Sequence, residues 1–213
     1  INKNIKKDIK VSSLDAYSEI DDFFKKNAET IYERDTSRAF NTYTGIRFKP
    51  FIASREEFFK GALLLENDSE FVLKENFSQK TVLDMGSGTG VLAILAEIQG
   101  ASQLEAIDID AWCFENATEN IQRNRCKNIT PLLGDAALII NKKYDIILAN
   151  INRNILLQDI PTYSNALHAS GVLILSGFYK EDLPLIIEKC SENKLTFDSH
   201  LQKGKWIGAK FVF

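Results

Sequence analysis

Three observations predict an α/β fold whose seven-stranded, mostly parallel sheet ends in a C-terminal antiparallel hairpin. From Lys80 onward, short apolar runs alternate with stretches of helical period. A glycine-rich run, Gly86-Ser-Gly-Thr-Gly90, joins the first such strand to the first such helix. The last two apolar runs are joined by Gln202-Lys-Gly-Lys205 alone, with no helix between them. Strand–helix alternation builds a parallel sheet covered by helices on both faces.

The elements follow in order. Lys3, Lys6, Lys7 and Lys10 mark a solvated start. Leu14, Tyr17, Ile20, Phe24, Ala28 and Ile31 recur every three or four residues, the period of an amphipathic helix. Gly45 and Pro50 interrupt an irregular stretch. Ser54 with Glu57 forms a capping-box pattern that opens a helix running to about Asn67. Residues 1–77 therefore read as a helical N-terminal segment and linker, and 78–213 as the main domain. Within that domain, strands are expected at Thr81–Met85, Leu104–Asp108, Ile129–Leu133, Tyr144–Asn150, Gly171–Ser176, Leu195–Leu201 and Trp206–Phe213. Helices are expected at Gly90–Gln99, Ala111–Arg123, Asn154–His168 and Glu181–Asn193. The strongly apolar run Asp145-Ile-Ile-Leu-Ala149 suits a central strand covered on both sides.

Composition excludes several classes. Apolar residues make up 45% and charged residues 26%, which is ordinary for a globular chain. The net charge of −3 and pI near 5.5 argue against general nucleic-acid binding, which calls for a basic surface. Cys113, Cys126 and Cys190 are odd in number and widely spaced, which suits reduced thiols in the cytoplasm. His168 and His200 have no neighbour at metal-ligand spacing, so no metal is expected. No membrane-length apolar run and no signal peptide are visible.

The glycine run is where chemistry enters. Glycines at a strand-to-helix turn permit a sharp bend and close ligand approach. The helix that follows offers free N–H groups. Two carboxylates distinguish this turn from one that holds a pyrophosphate. Asp84 lies within the motif, where it can meet a cationic amino group and would repel a diphosphate. Asp108 ends the next strand, 18 residues after Gly90, where it can accept from both hydroxyls of a ribose. That combination points to S-adenosyl-L-methionine (SAM), with Asp84, Gly86, Ser87, Gly88, Thr89, Gly90 and Asp108 as binding residues. Asp135, in Gly134-Asp-Ala136 after the third strand, is expected at the exocyclic amine of adenine, although Gly-Asp is also an ordinary turn pair. Ile109 is expected either against the adenine ring or in the core.

The fourth strand ends in Ala149-Asn-Ile-Asn-Arg-Asn154, at the sheet edge that lines ligand clefts in such folds. An amide oxygen there can orient a substrate nitrogen. Asn150 is the expected catalytic residue and a further cofactor neighbour, while Asn152 or Asn154 serves equally well as a helix cap. Phe178 and Tyr179 are expected either as cleft walls or as packing.

Four runs together resemble a known family. Leu83-Asp-Met-Gly-Ser-Gly-Thr-Gly-Val-Leu-Ala-Ile-Leu-Ala96, Ala106-Ile-Asp-Ile-Asp-Ala-Trp-Cys113, Ala149-Asn-Ile-Asn-Arg-Asn-Ile-Leu-Leu157 and Ser176-Gly-Phe-Tyr179 are similar to PrmA, the methyltransferases of ribosomal protein L-eleven, in their Bacteroidetes-type form. The resemblance covers residues 78–213. It implies a Rossmann-like class I SAM methyltransferase domain and methylation of lysine side-chain and N-terminal amines on a ribosomal protein. The family's substrate-recruiting N-terminal domain and its Gly-Thr-Gly-x-His-x-Thr-Thr loop have no match in residues 1–77, where Thr42-Tyr-Thr-Gly45 is a faint echo. The alternatives are a methyltransferase of nucleic acid or a small molecule, and a SAM-binding protein without catalysis. The first lacks an Asn-Pro-Pro-aromatic motif for adenine amines.

Overall fold

The computed structural model describes residues 74–213. The helices expected at 14–34 and 54–67 lie outside the described residues. Seven strands form one sheet: β1 (Thr81–Met85), β2 (Gln103–Asp108), β3 (Ile129–Leu133), β4 (Tyr144–Asn150), β5 (Leu167–Tyr179), β6 (Thr196–Lys203) and β7 (Trp206–Val212). Their spatial order is β3-β2-β1-β4-β5-β7-β6. The first five pair in parallel, and β7 runs antiparallel between β5 and β6. Four helices join them: α1 (Val91–Ile98), α2 (Ala111–Arg123), α3 (Arg153–Ala166) and α4 (Leu183–Glu192).

Strand side chains alternate between faces, and here both faces are covered. Val82, Ile146, Leu148 and Ile174 pack with Leu92, Ile94 and Leu95 of α1 and Ile121 of α2. Their neighbours Leu83, Ile147, Ala149, Leu173 and Leu175 pack with Leu156, Ile160 and Tyr163 of α3 and Ile186 of α4. Ile147, Leu173 and Leu175 are fully buried, as expected for strands with helices on each side.

The expected strand and helix ends hold within one to three residues, with three informative differences. β5 runs from Leu167 to Tyr179, well beyond Gly171–Ser176. It does so because Leu167 already pairs with Tyr144 and, at the other end, Phe178 and Tyr179 pair with Ile207 and Trp206. For the same reason α3 stops at Ala166, short of His168. The helix expected from Glu181 splits into a 3-10 turn at Lys180–Asp182 and then α4, with Pro184 in the first turn, where its missing N–H costs nothing.

Candidate functional site

The carboxyl ends of β1, β2, β3 and β4 surround a cleft of about 670 Å³. Of the glycine turn Gly86 lines it, while Ser87 and Thr89 are buried and, with Gly88 and Gly90, stand outside its lining. Gly86, Gly88 and Gly90 all have positive φ, at 68°, 54° and 75°. At Gly86 a Cβ would also stand 2.2 Å from Ile151 Cγ2. Around Gly88 a Cβ would meet nothing within 4 Å, so only the backbone angle demands glycine from the protein's side. The turn is fastened to β2. The N–H groups of Gly86 and Ser87 donate to Ile107 O at 2.8 and 3.0 Å, and Gly88 N–H donates to Asp108 Oδ2 at 2.8 Å.

Asp108 is nine-tenths buried and lines the cleft. Its second oxygen, Oδ1, accepts from Asp110 N–H at 2.9 Å. Each oxygen has a further lone pair, which suits a carboxylate that also takes ribose hydroxyls. Ile109, next in the chain, is 76% exposed against the cleft, which removes the core alternative. Asp135 also lines the cleft, with Oδ1 accepting from Ala137 N–H at 2.9 Å to cap a 3-10 turn at Ala136–Ile139. A cleft lined by Ile109, Ala136, Ala137 and Ile140 together with the carboxylates Asp108 and Asp135 fits a nucleoside bearing vicinal hydroxyls and an exocyclic amine, so the residues present fit SAM.

Asp84 is placed differently from its expectation. It is 1% exposed and does not line the cleft. Its Oδ2 accepts from Ala93 N–H at 3.0 Å, in the first turn of α1. Strand parity explains this. Val82 and Asp84 face α1, while Leu83 and Met85 face the side on which the cleft opens. Gly90, the residue at the helix cap, has no side chain to satisfy the exposed N–H groups, and the buried carboxylate does so from below.

Asn150 ends β4, half-buried, paired in register with Ser176. It lies beside the cleft without lining it. A Cβ on Gly177 would stand 2.9 Å from Asn150 Oδ1 and 2.6 Å from Ile151 O, so glycine there lets the two loops touch. Asn152 caps α3, its side chain accepting from Ile155 N–H at 3.2 Å, and it also lines the cleft. Neither Phe178 nor Tyr179 is a cleft wall. Phe178 is 2% exposed in the core, and Tyr179 packs on Trp206 with ring centroids 4.6 Å apart.

Sequence reasoning missed the wall supplied by α3. Asn152, Ile155, Gln158, Asp159 and Thr162 line the cleft from one helical face. Their spacing of three and four residues was the available signal. Burial raises the Asp159 carboxyl; Tyr163, whose hydroxyl donates to it at 3.4 Å, opposes that, and the charge of Asp135 adds to it. Burial, with Asp108 and Asp110 nearby, pushes the Cys113 thiol up to about 11, so it is no nucleophile at neutral pH. All three cysteines are free thiols. Among the described residues no cluster could hold a metal ion, and no helix is long and apolar enough to cross a membrane.

A sheet of this order with a glycine turn after β1 and a carboxylate ending β2 defines the class I SAM-dependent methyltransferase fold. A methyltransferase structure from Pyrococcus furiosus shares it at a TM-score of 0.64 and 17% identity, covering 89% of this chain and 98% of its own. The sequence model described as Ribosomal protein L11 methyltransferase (PrmA) matches residues 67–212, and the chain belongs to that family. The ribosomal protein L11 methyltransferase of Phocaeicola vulgatus is 46% identical over 142 residues, which are 66% of this chain and 50% of that protein. The structure of ribosomal protein L11 methylase from Lactobacillus delbrueckii subsp. bulgaricus matches with a TM-score of 0.64 and 32% identity, over 67% of this chain and 74% of its own. The chain spans about half the length of the curated relatives it matches.

Proposed function

We propose that the chain binds SAM across Gly86–Gly90, Asp108, Ile109 and Asp135 and transfers its methyl group to an amine of a ribosomal protein, with Asn150 orienting that amine. The placement of Asp108 carries the reading: one carboxylate ends β2, ties down the glycine turn and faces the cleft. Bound SAM supplies a methyl group on a sulfonium, ready for in-line displacement. The chain's share is alignment and exclusion of water. A lysine amine has an ordinary pKa of about 10.4, so its neutral form costs about 4–5 kcal/mol at neutral pH. Desolvation beside apolar walls such as Ile151 and Ile155 lowers that cost, and no dedicated base is needed. In this assignment Asp84 is a support beneath the turn. A ribosomal substrate would place the reaction in the cytoplasm.

The test is calorimetry with S-adenosylhomocysteine, then labelled SAM with candidate protein, RNA and metabolite substrates analysed by mass spectrometry. Saturable binding and a methylated ribosomal protein are expected. Label on RNA or a metabolite instead would replace the substrate assignment. Binding without turnover on any substrate would leave a SAM-binding protein.

A further inference from the structure

The glycine turn has a second tether, on the side away from the cleft. Asn116 and Asn120 of α2 and Asn124 at its C-cap follow one another at intervals of four, exposed by only 3%, 2% and 1%. Buried amides are costly unless they are used. Asn120 uses its amide nitrogen twice, donating from Nδ2 to Thr89 O at 2.9 Å and to Asn116 Oδ1 at 3.2 Å. Asn124 Nδ2 donates to Asn120 O at 2.8 Å, within the helix. Of the three, it is Asn120 that reaches to the turn, across 31 positions of sequence.

The bond falls on a peptide flanked by glycine on both sides. Thr89–Gly90 joins a residue to a glycine at φ 75°, and Gly88 precedes it at φ 54°. Glycine explores both signs of φ almost freely, so the geometry that lets a ligand approach also lets this peptide turn over. Its two ends are fixed by different partners. Gly90 N–H donates to Ser87 O at 2.7 Å, and Thr89 O accepts from the Asn120 amide. The first bond lies within the turn and would move with it; the second is anchored in a helix.

We infer that Asn120 is a positioning residue for the cofactor, holding the Thr89–Gly90 peptide in its binding orientation without touching the ligand. The inference rests on the SAM reading above. A turn that samples several orientations binds more weakly by the fraction of time it spends in the competent one. The amide therefore sets affinity for the nucleoside cofactor, and the other two asparagines serve the helix.

The experiment compares Asn120→Leu with Asn124→Leu in the full chain, using S-adenosylhomocysteine calorimetry and urea unfolding. Each substitution removes one buried amide from the same helix or its C-cap, so each lowers the unfolding midpoint. Asn120→Leu should weaken S-adenosylhomocysteine about tenfold, the effect of losing one buried hydrogen bond, while Asn124→Leu stays within about twofold of wild type. Amide exchange at Gly90 should speed up in the Asn120 variant alone. If Asn120→Leu does not fold, Asn120→Ala, the smaller change in a helix, is read in the same way. Equal binding by wild type and the Asn120 variant overturns the inference, and so does an equal loss in Asn124→Leu. Absence of binding by the wild-type chain overturns the cofactor reading and this inference with it.

Discussion

The two edges of the parallel sheet are built on opposite plans. At the amino edge, polar groups are spent on one another. Asp145, opening β4, accepts from the Thr81 N–H and hydroxyl, both at 2.9 Å, and from Lys80 at 3.4 Å. Lys142 reaches both oxygens of Glu105, which also accepts from the Tyr144 hydroxyl. Lys143 donates to the carbonyls of Asn165 and Leu167. At the carboxyl edge, three glycines hold left-handed angles, apolar Ile109 and Ile155 stand exposed, and carboxylates face a cleft. One edge closes the fold and the other is kept for a ligand. Damage at the first should appear as lost stability, and damage at the second as lost binding or rate.

The largest effect is expected from Gly88→Val. Valine at φ 54° costs about 1–2 kcal/mol in backbone strain and projects where the protein itself offers no contact. S-adenosylhomocysteine binding should vanish while the melting transition stays cooperative and drops by a few degrees. Retained affinity would mean that the turn is not the cofactor's seat.

Asn150→Ala should come next, with turnover lower by about 10²-fold, because small misalignments are costly in a displacement. Single-turnover rates read beside a melting curve on the same sample separate alignment from folding. Wild-type turnover per folded molecule would return Asn150 to an ordinary loop role.

Asp108→Ala should weaken S-adenosylhomocysteine by about 1–3 kcal/mol through lost charge-assisted bonds. Part of the loss is indirect, since the same carboxylate holds Gly88 N–H. Unchanged calorimetric affinity would remove it from the site.

The smallest change belongs to the other edge. Burial tends to raise Asp145, but the Thr81 backbone and hydroxyl and the Lys80 charge outweigh it and hold the carboxyl below its usual range. A lowered carboxyl contributes stability that is present above its unfolded pKa and lost as pH falls through the folded value. Asp145→Asn should therefore cost about 1 kcal/mol at neutral pH and show a flatter loss of urea midpoint below about pH 4 than wild type. Its affinity for S-adenosylhomocysteine should not change. An acid limb as steep as wild type would show that Asp145 does not carry it.

The difference between the edges also explains what the sequence could reveal. Strands at Thr81–Met85, Ile129–Leu133 and Tyr144–Asn150 were legible because apolar runs and flanking turns are local signals. Gly86, Asp108, Ile109 and Asp135 were legible as cleft residues because fixed spacing after a strand carries them to one edge. Asp84 was misjudged through its neighbours in sequence, although its parity with Val82 already placed it under α1. The α3 wall and the asparagine stripe of α2 escaped notice because polar residues at helical spacing usually mean a solvated face. Only the packing of those helices reveals that Asn120 is buried and that Asp159 overlooks the cleft. The length of β5 depended on partners far along the chain, Tyr144 in β4 at one end and Ile207 and Trp206 in β7 at the other.

The position of β7 has a consequence for how the chain is made. It sits between β5 and β6 in space but follows both in sequence. Until Trp206–Val212 emerges, β5 presents Leu173, Ile174 and Leu175 along an unpaired edge, and β6 has no partner in the sheet. Such an edge is a template for any extended strand, including the same segment of another copy. Synthesis therefore passes through an interval, from Tyr179 to Val212, in which the β5 edge of the sheet remains open to self-association, and the arrival of one seven-residue strand closes it.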